Sequence, residues 1–402
     1  DAAVAWALTR PSRARDGFLR RTATLFSHAA VLGALHRAPA PREALPEALV
    51  EELETGRMMK MVAKGGWSLV RRRAAELSIP AKAVLLKTLF VAGQDQELRD
   101  AVEEWGMLDW KAGDATRAER ERAARERIGL FEDGTGREEA GSLEWVDTAA
   151  GLEGVVSWLQ GEVEFARSVA DAAERPSDRP IFMGGGCAVG IVGLDTESRP
   201  SRHPGDRQDV SVLQLSSMSA AYVLDVAKLR DARGMRRVAR LLGKLLIAGV
   251  GVAQDWNKLR ATLPAFAAED PHPAAVDLGR IWNAFKHRFG DLQGGKDALR
   301  QAKLSLPGLV SLTRLFLGRQ LDKACCMSDW SARPLSRKQI DYAATDAWVA
   351  LAILQKMAEA VPDLSSTDGL LGREAPHRAG VFTIFPGLVR IGRALESSSG
   401  IC

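Results

Sequence analysis

The stretch that decides the fold is Val189-Gly190-Ile191-Val192-Gly193-Leu194-Asp195-Thr196-Glu197. Its short apolar run follows a cluster of glycines and is rich in β-branched residues, which predicts a buried strand. Alternate residues of a strand share a face, so Asp195 and Glu197 point to one side and Thr196 to the other. A divalent cation such as Mg²⁺ prefers oxygen ligands like these two carboxylates. Taken alone, the pair favours a solvated strand end over a metal site.

Two later stretches strengthen the interpretation as a metal site. The apolar run from Leu245 to Val252 predicts a second buried strand, and Asp255 follows it just before a predicted helix. The segment from Gln339 to Trp348 lies in a long helical pattern, where Tyr342 and Asp346 are four residues apart and therefore share a helix face. Four carboxylates and one phenol thus form a candidate metal site. Its members are Asp195, Glu197, Asp255, Tyr342 and Asp346.

These three segments resemble the three motifs of the DEDD 3'-5' exonucleases. Asp195 and Glu197 match the Asp-x-Glu of the first motif, and Asp255 matches the Asp of the second. Tyr342 and Asp346 match the Tyr-x-x-x-Asp that marks the tyrosine subclass. The histidine subclass would have His where this sequence has Asp341, so the chain resembles the tyrosine subclass.

The region from Leu321 to Ala344 extends the resemblance to ribonuclease D, the Werner exonuclease domain and above all the Nibbler/mutator branch. The likeness covers roughly Leu143 to Ala358. It implies an α/β fold with a ribonuclease H-like mixed sheet flanked by helices. In the Nibbler/mutator relatives a helical repeat-type region precedes the nuclease, so an all-α region is expected at the start of this chain, with protein partners of its own.

The resemblance also implies a cofactor and a reaction. Two ions, Mg²⁺ or Mn²⁺, are expected on Asp195, Glu197, Asp255 and Asp346, with Tyr342 orienting the attacking water. The expected substrate is a single-stranded 3' end, of RNA by analogy, which is shortened to nucleoside 5'-monophosphates. Two alternatives stay open: a Werner-type exonuclease acting on DNA, and a silent nucleic-acid-binding scaffold.

Three further residues are weaker candidates for substrate binding. Lys323 and Arg333 flank Trp330, and a cation beside a metal site could hold a phosphate, which Arg does with two hydrogen bonds. The alternative is that Arg333 and Trp330 only anchor the turn before the last helix. The sequence does not favour either interpretation.

Composition and punctuation predict three regions in the 402 residues. Residues 1–128 form a helical region with a charged linker, 143–358 the exonuclease domain, and 359–402 a loosely ordered tail. The long connection at 161–187 is expected to contain a helix and a loop. Asp277 is expected to be structural. The first residue is Asp1, so the chain is expected to be a fragment or a processed product.

The charge and cysteine content constrain the setting. A net charge of +4 permits an anionic partner without demanding one, so any nucleic-acid surface must be a local patch. The cysteines are few and lack zinc-site spacing, which favours a reducing, intracellular compartment, either nucleus or cytoplasm. The Arg-rich first forty residues also leave an organelle open. No apolar run approaches the length of a membrane span, so no membrane partner is expected.

Overall fold

The structure is a computed structural model. The residues it describes are 12–25, 28–37, 45–128, 142–172, 182–183, 186–187, 190–200, 209–230, 232–268, 273–286 and 308–360. The chain divides into two compact units. The first comprises residues up to Arg125 together with Lys323–Asp329, and the second comprises Glu126–Asp322 together with the chain from Trp330 onwards. The predicted tail from residue 361 onwards and Gly184-Gly185 lie outside the described residues, as do residues 1–11, 26–27 and 38–40 of the Arg-rich start.

The first unit is helical, as predicted. Its described helices are α1 (Ser12–Leu25), α2 (His28–Arg37), α3 (Glu47–Val62), α4 (Trp67–Ala74), α5 (Ile79–Val91), α6 (Asp95–Glu104) and α7 (Asp114–Glu126). Helix α5 begins after Ser78, whose hydroxyl accepts from the Ala81 backbone N–H at 3.4 Å, and Pro80 lies in its first turn, where no N–H is needed.

The charged segment predicted as a linker is helix α7, and ion pairs tie it to its neighbours. Both terminal nitrogens of Arg120 donate to the Asp95 carboxylate, at 2.8 and 2.9 Å. Lys87 Nζ lies 3.0 Å from Glu119 Oε2. The alternating charges therefore bind this helix to α5 and α6 as well as keeping it hydrated.

A short piece from late in the chain also belongs to the first unit. The Met327 backbone N–H donates to the Lys64 carbonyl at 2.7 Å. At Gly65, which has a φ of +80°, an added Cβ would lie 2.2 Å from the Ala324 carbonyl oxygen. Lys323–Asp329 thus packs against the α3–α4 turn, although more than two hundred residues separate them in sequence.

The second unit is built on a mixed sheet. Its elements in chain order are β1 (Arg127–Ile128), β2 (Ser142–Val146), α8 (Ala149–Ala172), β3 (Phe182–Met183), β4 (Gly186–Cys187), β5 (Ile191–Ser198), β6 (Val210–Ser216), β7 (Ala220–Asp225), α9 (Val226–Leu229), α10 (Arg233–Leu242), β8 (Leu246–Gly249), α11 (Val252–Thr262), α12 (Pro264–Ala267), β9 (Ala274–Asp277), α13 (Leu278–Phe285), α14 (Leu309–Leu317), β10 (Gln320–Leu321) and α15 (Arg337–Ala360).

Six strands form the main sheet in the order β2-β7-β6-β5-β8-β9. Strand β6 runs antiparallel to both neighbours, and the other pairs are parallel. The predicted hairpin is confirmed as β6 and β7, and the predicted first strand is confirmed as β2. The predicted fold class is confirmed as a mixed α/β sheet flanked by helices and preceded by a helical region.

The two faces of the sheet are covered differently. Val192 and Leu194 of β5 lie in an apolar core with residues of α8, α10 and α11. The opposite face, which carries Gly193 and Asp195, is covered by α15. The candidate carboxylates of β5 are therefore on the α15 side of the sheet.

The close approach of α15 to β5 depends on Gly193. A Cβ atom at this position would lie 2.1 Å from the Ala347 carbonyl oxygen and 2.7 Å from Ser216 Oγ. The carbonyl oxygen is part of the backbone of α15, so it cannot move without shifting the helix.

We expect Gly193→Ala to lower the free energy of unfolding by about 1–3 kcal/mol, the usual cost of overpacking, as measured by urea denaturation. Gly154→Ala on α8 is the matched control, because an added Cβ there meets nothing within 4 Å. That change is expected to stabilise the helix by roughly 0.5–1 kcal/mol. Equal stability of the two variants would contradict the proposed role of Gly193.

Candidate active site

Strand β5 presents Asp195 and Glu197 at its carboxyl end on the face covered by α15. Both residues are of intermediate burial. Asp195 Oδ1 accepts a hydrogen bond from the Thr196 backbone N–H at 2.8 Å. Asp195 lies opposite Gln214 of β6, and Glu197 lies opposite Val212. The predicted strand, and the predicted sharing of one face by the two carboxylates, are confirmed.

Asp255 lies in the first turn of α11, which follows β8. The turn between them passes through Gly251 at φ +77°, a left-handed conformation that suits glycine. Asp277 Oδ2 accepts from the Gly251 N–H at 2.7 Å, and its Oδ1 accepts from the Arg280 N–H at the start of α13. Asp277 therefore fixes the loop that delivers Asp255, in agreement with its predicted structural role.

A hydrogen bond links Asp255 to the first motif. The Thr196 hydroxyl donates to Asp255 Oδ1 at 2.6 Å. Thr196 stands between Asp195 and Glu197 in the chain but projects to the opposite face of the sheet. The bond thus ties α11 to the strand that carries the other two carboxylates.

Burial raises the pKa of the Asp255 carboxyl above its ordinary value, more than the Thr196 hydrogen bond and the ammonium of Lys258 lower it. The negative charge of Asp277 adds to the rise. A raised pKa in the folded state means that ionising this carboxyl opposes folding. The stability that the neutral form provides is lost as the pH rises from the ordinary aspartate pKa through the folded-state value.

We therefore expect Asp255→Asn to raise the Tm at pH 7 in the presence of a chelator. The amide keeps an oxygen that can accept from Thr196 and removes the charge that is costly to bury. The gain should disappear as the pH falls below about 4, where the wild-type carboxyl is also neutral. Thermal unfolding at pH 4 and pH 7 measures both effects. A variant that is less stable than wild type at pH 7 in chelator would contradict the prediction.

Tyr342 and Asp346 lie one turn apart on α15. Their side chains are buried, with 7% and 2% exposed surface. The Tyr342 ring packs against Trp330, with ring centroids 5.9 Å apart. Because the backbone of Ala347 meets Gly193 of β5, the helix places Asp346 beside the strand that carries Asp195. The Oδ1 atom of Asp346 is shielded from solvent.

The chemistry of the donor set suits a divalent cation of the Mg²⁺ type, since every predicted ligand is a carboxylate. Among the described residues, however, no three His, Cys, Asp or Glu side chains are grouped closely enough to hold a metal ion. Asp255 instead bonds with Thr196, on the opposite side of the strand from Asp195 and Glu197. The four-carboxylate cluster therefore stays a prediction.

The guanidinium group of Arg333 is hydrogen-bonded to groups of its own chain. Its Nε and Nη2 atoms donate to Asp225 at 2.6 and 2.9 Å, and Nη1 donates to the Trp330 and Ala332 carbonyls at 2.8 Å. Nη2 also donates to the carbonyl of Ser211. The guanidinium group has five N–H donors, and the hydrogen bonds given above are also five in number. These contacts favour the alternative in which Arg333 anchors the turn before the last helix.

Of the other two weak candidates, one is buried and one belongs to the other unit. Trp330 is fully buried. Lys323 belongs to the first unit, whereas all five motif residues belong to the second. Substrate binding by Lys323, Arg333 and Trp330 thus receives no support from the side-chain contacts.

Sequence reasoning missed two polar groups on the α15 face of the sheet. Asp225 is fully buried. Its carboxylate accepts a hydrogen bond from the Lys228 backbone N–H at the start of α9 and another from Arg333 Nε. Gln214 is fully buried opposite Asp195. The signal available was a polar residue within each apolar strand pattern, Gln214 in Val210 to Leu215 and Asp225 in Ala221 to Val226. Neither pattern reveals which strand lies alongside.

Comparison with known proteins finds a family model that matches part of this unit. Residues 181–362 match the model of a 3'-5' exonuclease family, and all five motif residues fall inside the match. This part of the second unit is therefore similar to a 3'-5' exonuclease domain. The human exonuclease mut-7 homolog is 30% identical to the chain over 198 residues, which cover 47% of the chain and 22% of that relative. Ribonuclease D of Escherichia coli (strain K12) is 32% identical over 123 residues, which cover 28% of the chain and 30% of that relative.

A solved structure of the exonuclease domain also resembles the chain. The crystal structure of the Aedes aegypti Nibbler EXO domain is 20% identical, with a TM-score of 0.42, and the match covers 58% of this chain and 93% of that one. The chain spans less than a third of the length of the two curated relatives. Enzymes of the 3'-5' exonuclease family generally use divalent metal ions.

Proposed function

We propose that the second unit hydrolyses phosphodiester bonds from the 3' end of single-stranded RNA and releases nucleoside 5'-monophosphates one at a time. The observation that carries this proposal is the family match over residues 181–362, within which every motif position keeps its chemical group. A chain that had lost the activity would be free to lose the acids, because charges near a protein interior are costly to maintain.

The carboxylates of Asp195, Glu197, Asp255 and Asp346 are the groups proposed to hold the metal. Bound divalent ions supply Lewis acidity, which lowers the pKa of a water molecule and stabilises negative charge on the leaving oxygen. The protein contributes the framework. Strand β5, the turn at Gly251 and helix α15 each deliver their carboxylates from a backbone that packing and hydrogen bonds hold in place.

Tyr342 is proposed to orient the attacking water. Its ring is buried and packs against Trp330, so the phenol has little freedom to rotate away from the Asp346 face of α15. A fixed hydroxyl can accept from and donate to a water molecule and so align it for in-line attack on phosphorus. Tyr342→Phe is the substitution that isolates this contribution.

RNA is the proposed substrate for two reasons. One similar protein is named for ribonuclease activity, and a helical unit precedes the exonuclease domain, as in the relatives that the sequence resembles. Protein partners of the helical unit are proposed from the same resemblance. An intracellular setting is proposed as well, since Cys325 and Cys326 are free thiols. Within the described residues, every helix is too short or too polar to cross a bilayer.

The test uses the full chain with 3'-extended, 5'-labelled RNA and DNA single strands of matched sequence. We expect a ladder of products shortened from the 3' end of RNA with Mn²⁺ or Mg²⁺, none with a chelator, and slower shortening of DNA. Faster digestion of DNA would overturn the choice of substrate. Binding of either strand without shortening would overturn the enzyme proposal and favour a nucleic-acid-binding scaffold.

A further inference from the structure

A buried amide lies beside the first motif residue with both of its polar atoms unpartnered. Gln214 of β6 has no exposed surface. Neither its Nε2 nor its Oε1 has a hydrogen-bond partner among the residues that the structure describes. Buried side-chain polar atoms are nearly always hydrogen-bonded, and one left unmade costs about 1–3 kcal/mol. A buried amide with both polar atoms unpaired therefore calls for an explanation.

The register of the sheet puts this amide on the face of Asp195. Gln214 lies directly opposite Asp195 in the antiparallel pair formed by β5 and β6. Side chains of directly opposed residues project from the same face, with Cβ atoms roughly 4.5–5.5 Å apart. The neighbouring pair, Gly193 and Ser216, confirms the face, because a Cβ at Gly193 would meet both Ser216 Oγ and the carbonyl of Ala347 on α15. The Gln214 side chain is therefore beneath α15 and within reach of the Asp195 carboxylate.

We propose that Gln214 is a positioning residue for Asp195: when a divalent cation is bound, the amide that is unpartnered among the described residues would donate a hydrogen bond from Nε2 to the Asp195 carboxylate and fix its orientation toward the cation. The inference rests on the proposed function. Carboxylates that ligate metals are themselves held by hydrogen bonds from outside the metal shell, and the loss of such a bond typically weakens metal binding 10–100-fold.

The test separates a positioning role from a packing role. Gln214→Met keeps an unbranched side chain of similar length and removes both polar atoms. In chelator we expect its free energy of unfolding to equal or exceed that of wild type, because it leaves no buried polar atom unpaired. Calorimetric titration with Mn²⁺ is expected to show a Kd raised about 10–100-fold. A packing role predicts the reverse pattern, with lower stability and an unchanged Kd.

Ser216→Ala is the matched control. Ser216 Oγ is also buried without a partner among the described residues and lies on the same face, but it is opposite Gly193 rather than Asp195. Its Mn²⁺ Kd should stay within about twofold of wild type. A rise equal to that of Gln214→Met would show a general loosening beneath α15 and would overturn the proposal.

The remaining outcomes also decide the question. A wild-type Mn²⁺ Kd for Gln214→Met overturns the positioning role. If that variant does not fold, Gln214→Asn replaces it, because its amide is one methylene too short to reach. An unchanged Kd for this second variant overturns the proposal and a tenfold rise supports it. Wild-type protein that neither binds Mn²⁺ nor trims RNA refutes the proposed function and this inference together. Wild-type protein that does both, with an unaffected Gln214→Met, refutes only the inference.

Discussion

Asp195→Ala is expected to reduce metal-dependent shortening of RNA by at least about 100-fold. Loss of a residue that only hydrogen-bonds a metal ligand costs up to about 100-fold, and loss of the ligand itself should cost at least as much. Asp195 is the residue on which the proposed site depends most. It shares one face of β5 with Glu197, lies opposite Gln214 of β6 and is on the side of the sheet covered by α15. Removing a ligand carboxylate deletes a charge that holds the cation. Single-turnover cleavage of 5'-labelled RNA in Mn²⁺ measures the loss.

Two controls make the first result interpretable. Glu164→Gln removes an exposed carboxylate from α8 in the same unit and should keep the wild-type rate. The Tm of Asp195→Ala in chelator should be no lower than that of wild type, since the change relieves repulsion with Glu197. Asp346→Asn on α15 is expected to match the loss of activity. A purified, folded Asp195→Ala protein that shortens RNA at the wild-type rate would refute the assigned site.

Arg333→Ala is expected to cost about 3–5 kcal/mol of unfolding free energy, the range found when one partner of a buried ion pair is removed. The Asp225 side chain has no exposed surface, whereas that of Arg333 is 22% exposed. The guanidinium lies 5.6 Å from the centroid of the Trp145 ring, a cation–π distance. Without Arg333, the Asp225 carboxylate stays buried with only the Lys228 backbone N–H among the contacts described here. Urea denaturation at pH 7 gives the value.

Three companion measurements test this explanation. The double variant Asp225→Asn with Arg333→Met should recover more than half of the lost stability, since it leaves no uncompensated charge. Arg333→Lys should recover little, because an ammonium cannot reproduce the planar fork of donors. A small loss of stability in Arg333→Ala, below about 1 kcal/mol, together with a large loss of RNA affinity, would instead restore the substrate-binding interpretation of Arg333.

The sequence predicted the elements that carry chemistry because their signals are local. The β5 strand, its two carboxylates on one face and the helical spacing of Tyr342 and Asp346 all follow from periodicity within a few residues. The connection at 161–187 was expected to contain a helix and a loop. Its first part is a direct continuation of α8, which runs to Ala172 and so includes Gly161. Burial of Val163 and a hydrogen bond from Trp158 Nε1 to Glu162 outweigh the cost of a helical glycine.

What stayed beyond sequence reasoning depends on pairing over long distances. Arg333 and Asp225 are 108 residues apart, and nothing in either local pattern indicates the other. The role proposed for Gln214 depends on strand register, because a shift of one residue would move its side chain to the other face of the sheet. Whether the carboxylates form one cluster likewise depends on how β5, α11 and α15 pack together and on how their side chains are oriented. Periodicity carries no information on either.

The passage of Lys323–Asp329 into the helical unit has a consequence for how the chain is divided. The polypeptide crosses the boundary at Arg125, again at Asp322 and a third time at Asp329, so no single cut separates the two units. A truncated chain that starts at Glu126 would retain this loop while losing Lys64 and Gly65, against which it packs. Such a truncation would leave Lys323–Asp329 without the residues that it packs against, just ahead of the helix that bears Tyr342 and Asp346.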